Sequence, residues 1–154
     1  MSRLIHAVHG EPRTGPAGRY FTVAQADRAL VLVRRIVGDV LAGYERLLDL
    51  QELLETAGPD TAAAHDADVR DDLLKVAGML TNCAEELEDV GAFLQDWSQG
   101  IVDFPALLAG REVCLCWQYG EPRVGYWHEL DAGFPQRRPI EEFFAEKRLA
   151  KNYR

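Results

Sequence analysis

The sequence predicts an α+β protein: a long antiparallel helical hairpin, coiled-coil-like, packed with a small antiparallel β-sheet and a short C-terminal helix. Two observations carry this. Apolar residues recur at alternating spacings of three and four over two long stretches separated by Gly58-Pro59, the seam of paired helices. After Gly91 the period drops to two, with turn residues between short apolar runs, as antiparallel strands require. The 154 residues suffice for one domain with its own core.

Residues 1–19 read as an N-terminal arm, because "HGEPRTGPAGR" is rich in turn formers; "LIHAV" within it has the composition of an edge strand. Residues 20–154 form a single domain: hairpin over 20–90, sheet over 91–134 and tail helix over 135–154. Thr22 and Gln25 fit a capping box, in which each side chain satisfies the other residue's backbone N–H, and Phe21 is placed to staple against Ala26. The helix then runs to about Thr56, carrying Leu30, Val33, Val37, Val40, Tyr44, Leu47 and Leu54 on one seam, with Gln51 at the missing step.

Pro59 ends it, since proline lacks the N–H and clashes with the preceding turn. The alanines with Asp66 or Asp68 start a second helix, acids lying near its positive end, and its seam is Val69, Leu73, Val76, Leu80, Cys83, Leu87 and Val90. Helix 1 is apolar on further rows: Ile36 with Leu50, and Leu41 with Leu48. One partner helix cannot cover them all, so the surplus meets the sheet or a second copy, a homodimer through helix 1.

"AFLQDW" and "GIVDF" flank "SQG", and "REVCLCWQ" and "RVGYWHEL" flank "YGEP", which reads as about four antiparallel strands. "PIEEFFAEKRLAKNY" reads as the closing helix, with Phe143, Phe144 and Leu149 on its apolar face.

Composition excludes several functions. Net charge is −8, which argues against nucleic-acid binding, since that affinity comes from Lys and Arg on phosphates. The basic residues between Arg137 and Arg154 read as a solvated helix face. No apolar run nears the ~20 residues of a membrane span, and the N-terminal segment lacks the pattern of a secretory signal. Three cysteines without framework spacing fit a reducing cytoplasm.

The densest chemistry lies in "CLCWQYGEPRVGYWHELDAGF", residues 114–134. Alternation puts Cys114, Cys116 and Gln118 on one face of their strand and Val113, Leu115 and Trp117 on the other. The hairpin loop decides which set His128 joins: a two-residue loop places Tyr126 and His128 with Leu115 and Trp117, and a one-residue slip places them with the cysteines. Only the second register suits a metal. Cys114, Cys116 and His128 are then the ligand candidates, one short of zinc's usual four, so buried, reduced cysteines are the expectation and no metal or cofactor is implied.

A thiol–histidine nucleophile would use Cys116 with His128, oriented by Asp131 or Glu129, but mid-strand burial opposes the exposed, electropositive setting such a thiol needs. The third reading is a pocket: Trp117, Tyr126, Trp127 and Phe134 as walls, Glu121, His128, Asp131 and Arg137 as polar groups.

"FTVAQADRALVLVRRIV", "GIVDFPALLAGREVCLCWQYGEPRVGYWHELDAGF" and Arg137-Arg138-Pro139 resemble the bacterial family catalogued as domain of unknown function 2203, over residues 20 to about 140. The family pattern falls on Asp103, Phe104, Leu115, Cys116, Trp117, Gly120, Glu121, Trp127, His128, Gly133, Phe134 and Arg137. Cys114 stands where the pattern expects an apolar residue. The resemblance implies a small stand-alone bacterial protein with a helical hairpin and a C-terminal β-region, and brings no activity with it.

The reading that follows is a non-catalytic protein that captures a protein partner or small ligand at an aromatic and polar pocket on the sheet. The alternative is a metal-binding protein or thiol/histidine enzyme centred on Cys116 and His128, with Glu121 and Asp131 beside them. The sequence does not decide whether the protein is an enzyme.

Overall fold

The computed structural model describes residues 19–59 and 63–153. The arm read over 1–19, with its "LIHAV" strand, lies outside them apart from Arg19. The fold is α+β: helix α1 (Val23–Thr56), helix α2 (Ala63–Val90), strands β1 (Phe93–Asp96), β2 (Ile101–Leu108), β3 (Arg111–Gln118), β4 (Tyr126–Glu129) and β5 (Arg138–Pro139), and helix α3 (Ile140–Asn152). The sheet is antiparallel throughout, in sequence order β1-β2-β3-β4-β5.

Thr22 caps α1 as its spacing requires. Its hydroxyl accepts the Gln25 N–H at 3.1 Å, and the Gln25 side chain accepts the Thr22 N–H at 2.9 Å. The seam residues Leu30, Val33, Val37, Val40, Leu47 and Gln51 are buried, facing Val69, Leu73, Leu80, Cys83 and Leu87 of α2. At Gly43 the rods lie so close that a β-carbon would stand 2.4 Å from Met79 Cε and 3.0 Å from Leu80 Cδ2.

Ile36 and Leu50, the surplus row of α1, are buried within the chain. Val37 and Leu41 close over the β1–β2 turn, where Gly100 has φ +66° and a β-carbon would meet Val37 Cγ1 at 2.8 Å. Leu48 remains exposed.

The hand-off from helix to sheet is a Schellman turn. Gly91 takes φ +96°, its N–H reaches the Glu88 carbonyl at 2.9 Å, and the Ala92 N–H reaches that of Leu87 at 3.0 Å, which satisfies two carbonyls the helix end leaves open. The β2–β3 hairpin closes with Leu108 opposite Arg111. Ala109 and Gly110 between them both have positive φ, 51° and 82°, the two-residue loop that matches strand twist.

Several details differ from the sequence expectation. The described residues hold five strands rather than about four; the fifth, β5, lies near the start of the segment expected to be wholly a tail helix. β2 continues through Pro105, beyond the expected "GIVDF". Its last pair with β1 is Asp103 with Phe93, so Pro105 lies on an open edge and its missing N–H costs no ladder bond. Its carbonyl instead accepts the Phe21 N–H at 2.7 Å. β4 is shorter than "RVGYWHEL", because the Val124 N–H turns to Asp27 Oδ1 of α1 at 2.8 Å instead of pairing with β3.

One sheet face packs under the hairpin. Val102, Phe104, Ala106, Leu108, Val113, Leu115, Trp117 and Trp127 join the helices in one core. Helix α3 adds Ile140 and Phe143 to that core. Arg111 secures its far end, reaching Glu129 at 2.7 Å and Glu146 at 2.8 Å.

Candidate functional site

The opposite sheet face is unlike the first. Its side chains follow from the pairing register: Asp103 opposite Cys116, Cys116 opposite Tyr126, and Cys114 opposite His128. The β3–β4 connection, residues 119–125, puts Tyr126 and His128 on the cysteine face, the second of the two registers open to the sequence.

His128 is held from both sides. Nδ1 lies 2.8 Å from the Glu129 carbonyl, and Nε2 lies 3.1 Å from each carboxylate oxygen of Asp103. Both side chains are buried, 4% and 8% exposed. A neutral imidazole has a single N–H, whereas here both nitrogens face acceptors, which favours the imidazolium. Burial pulls the His128 pKa down, but the Asp103 hydrogen bond and charge and the Glu129 carbonyl outweigh it, and the net shift is upward.

The thiols are held protonated. Burial first, then the charges of Asp103 and Glu112, pushes Cys114 up to about 12. Cys116 is fully buried, and burial and Asp103 raise its pKa further, against the opposing charge of Arg137. Cys114, at an intermediate level of burial, is the more accessible of the two.

A cavity of about 500 Å³ opens over this face. Its floor is Asp103, Cys114 and His128; Gln95, Asp96 and Ile101 wall one side, and the chain from Leu130 to Phe134 walls the other. The Asp96 carboxylate shapes its own turn, accepting the Ser98 and Gln99 N–H groups at 2.8 and 2.9 Å. Among the described residues, no arginine or lysine lines this cavity.

The structure brings together His128, Asp131 and Phe134 of the pocket residues read from the sequence. Trp117 and Trp127 point the other way, into the core under the helices, because they alternate with the cysteines and with His128. Arg137 lies flat between Tyr126 and Phe134, its guanidinium carbon 3.9 and 4.2 Å from the ring centres, and pairs with Glu121 at 2.6 Å. Glu121 is a latch. Its carboxylate takes Arg137 and the Gln118 N–H at 3.0 Å, while its carbonyl accepts Trp117 Nε1–H at 3.0 Å and a bond from Arg34 of α1.

The metal candidates also rearrange. His128 stands opposite Cys114, two pairs along the ladder from Cys116, and Asp103 completes a group with Cys114 and His128 whose ligand atoms all lie within 4.8 Å of one another. Asp103 was absent from the sequence-derived site. The signal for it was present: a lone carboxylate inside the apolar run "GIVDFPALL" must be buried, and a buried charge needs a partner. Gln95 and Asp96 had no such signal, since β1 reaches the site only by pairing with β2.

No curated protein and no solved structure matches this chain. Residues 19–140 match the family described as "Uncharacterized conserved protein (DUF2203)", and the chain belongs to that family.

Proposed function

We propose that the protein is a non-catalytic small-ligand-binding protein whose site is the cavity on the sheet face turned away from the helical hairpin, and that the ligand carries positive charge. The observation that supports this is the buried His128–Asp103 pair on the floor of an open cavity. A buried ion pair gives a fold little net stability compared with apolar side chains of the same volume. A desolvated ionisable pair at the base of a cleft makes that cleft the first candidate for a binding site. The lining supplies the sign: Asp103 and Asp131 against one imidazole, with no arginine or lysine among the described residues of the lining.

The enzyme reading, with Cys116 as nucleophile, has less support. A thiol without solvent access and with a raised pKa is a poor nucleophile, and its cross-strand neighbour is Tyr126 rather than His128.

The test is amide NMR on the full chain with a panel of small organic cations, neutral polyols and anions. Cations are expected to shift the resonances of His128, Asp131, Ala132 and Gly133, and Asp131→Asn to weaken the response. Shifts confined to the helices, or a stronger response to anions, would overturn the proposal.

A further inference from the structure

We propose that the cavity floor is a site for a first-row divalent metal ion of zinc type, held by Asp103, Cys114 and His128 with a fourth position open to the cavity. This rests on the reading that the cavity takes a cation, and names its class.

The three donors come from three adjacent strands, β2, β3 and β4. A sheet fixes such positions more firmly than loops do. Tetrahedral zinc, with sulfur at about 2.3 Å and nitrogen or oxygen at about 2.0–2.1 Å, separates its ligand atoms by roughly 3.3–3.6 Å. Nε2 of His128 already lies 3.1 Å from both Asp103 oxygens. The donor atoms span at most 4.8 Å, so closing the group takes a movement of about 1 Å. Cys114 has room for it, being only partly buried.

His128 is oriented as a metal-binding histidine is. Its Nδ1 is tied to the Glu129 carbonyl at 2.8 Å, which directs Nε2 at the site and fixes the ring plane. The metal takes the place of the proton between Nε2 and the carboxylate, and that proton and the Cys114 thiol proton both leave to solvent.

The donor set selects the ion. One sulfur, one imidazole nitrogen and one carboxylate suit zinc or cobalt, whereas magnesium and calcium want oxygen throughout. Cys116 is outside the set: the ligand atoms that lie within 4.8 Å of one another are those of Asp103, Cys114 and His128, and Cys116 is fully buried. With three protein ligands, the coordination shell is left open on the side where Asp131 and Gly133 line the cavity.

The experiment uses the full chain stripped with chelator and titrated with zinc and with cobalt(II). One zinc per chain is expected, and the cobalt adduct should show thiolate-to-metal charge transfer in the near ultraviolet with the strong visible bands of a four-coordinate ion. Cys114→Ser should abolish the charge transfer and lower zinc affinity by at least about 10- to 100-fold, the cost of losing even an outer partner; Cys116→Ala should change neither. His128→Gln should behave as Cys114→Ser, and if it unfolds by circular dichroism, the near-isosteric Cys114→Ser carries the test alone.

Substoichiometric zinc on folded protein, or charge transfer that survives Cys114→Ser, overturns the metal site. Organic cations that still shift the cavity resonances in that event leave the binding reading standing. Zinc binding without any response to organic cations removes the organic ligand and keeps the metal.

Discussion

Ala109 has φ 51° at the tip of the β2–β3 hairpin, where a β-carbon crowds its own backbone and costs roughly 1–2 kcal/mol. Asparagine tolerates that conformation and is favoured at the first position of such a loop. Ala109→Asn is therefore expected to stabilise the protein by about 0.5–1 kcal/mol, read as a rise in the denaturation midpoint at unchanged m-value; an unchanged or lower midpoint refutes the strain argument. The same scale shows where single residues were legible. Thr22 and Gln25 declared their bond by spacing alone, because a capping box is local. Asp103 and His128 are separated by twenty-five residues and meet only through two strand pairings, so neither spacing nor composition could name the pair.

At the scale of the element, the two rods were readable because a heptad seam writes itself along the sequence, and α1 and α2 bury most of the residues it marks, with Tyr44, Leu54, Val76 and Val90 partly buried against the core. The closeness of their approach was not, since a glycine in a helix has no sign of its own. Gly43 and Gly78 separate the cases. Gly43 faces Met79 and Leu80, whereas a β-carbon at Gly78 meets nothing within 4 Å. Gly78→Ala should stabilise α2 by about 1 kcal/mol through helix propensity. Gly43→Leu should overpack the seam and cost about 1–3 kcal/mol, with the two midpoints moving in opposite directions in urea. Equal shifts would mean that the rods do not touch at Gly43. The strands were legible as a group through their period of two, but not their ends: β2 overruns Pro105 and β4 stops short, each decided by a contact from Phe21 or Asp27 far upstream.

For the whole molecule, hairpin and sheet share one core, to which Trp117 and Trp127 of the sheet and Val33 and Val37 of the hairpin all belong. A shared core predicts one cooperative transition. Far-ultraviolet ellipticity, which reports the helices, and tryptophan fluorescence, which reports their junction with the sheet, should follow the same curve on heating. Two separated curves would make the rods an independent unit. The architecture was legible at this scale because each half declares its own period. The cavity was not, because it needs the register of four strands and the path of residues 130–134 at once.

Glu121 gives the two faces a common fastening. Its carbonyl is gripped from the helix side by Arg34 and Trp117, its carboxylate from below by Arg137, so it works as a rivet through the rim of the sheet. A lengthwise slide of the first rod pulls on that rivet, and the pull arrives through Arg137 at Phe134, in the wall of the cavity over His128.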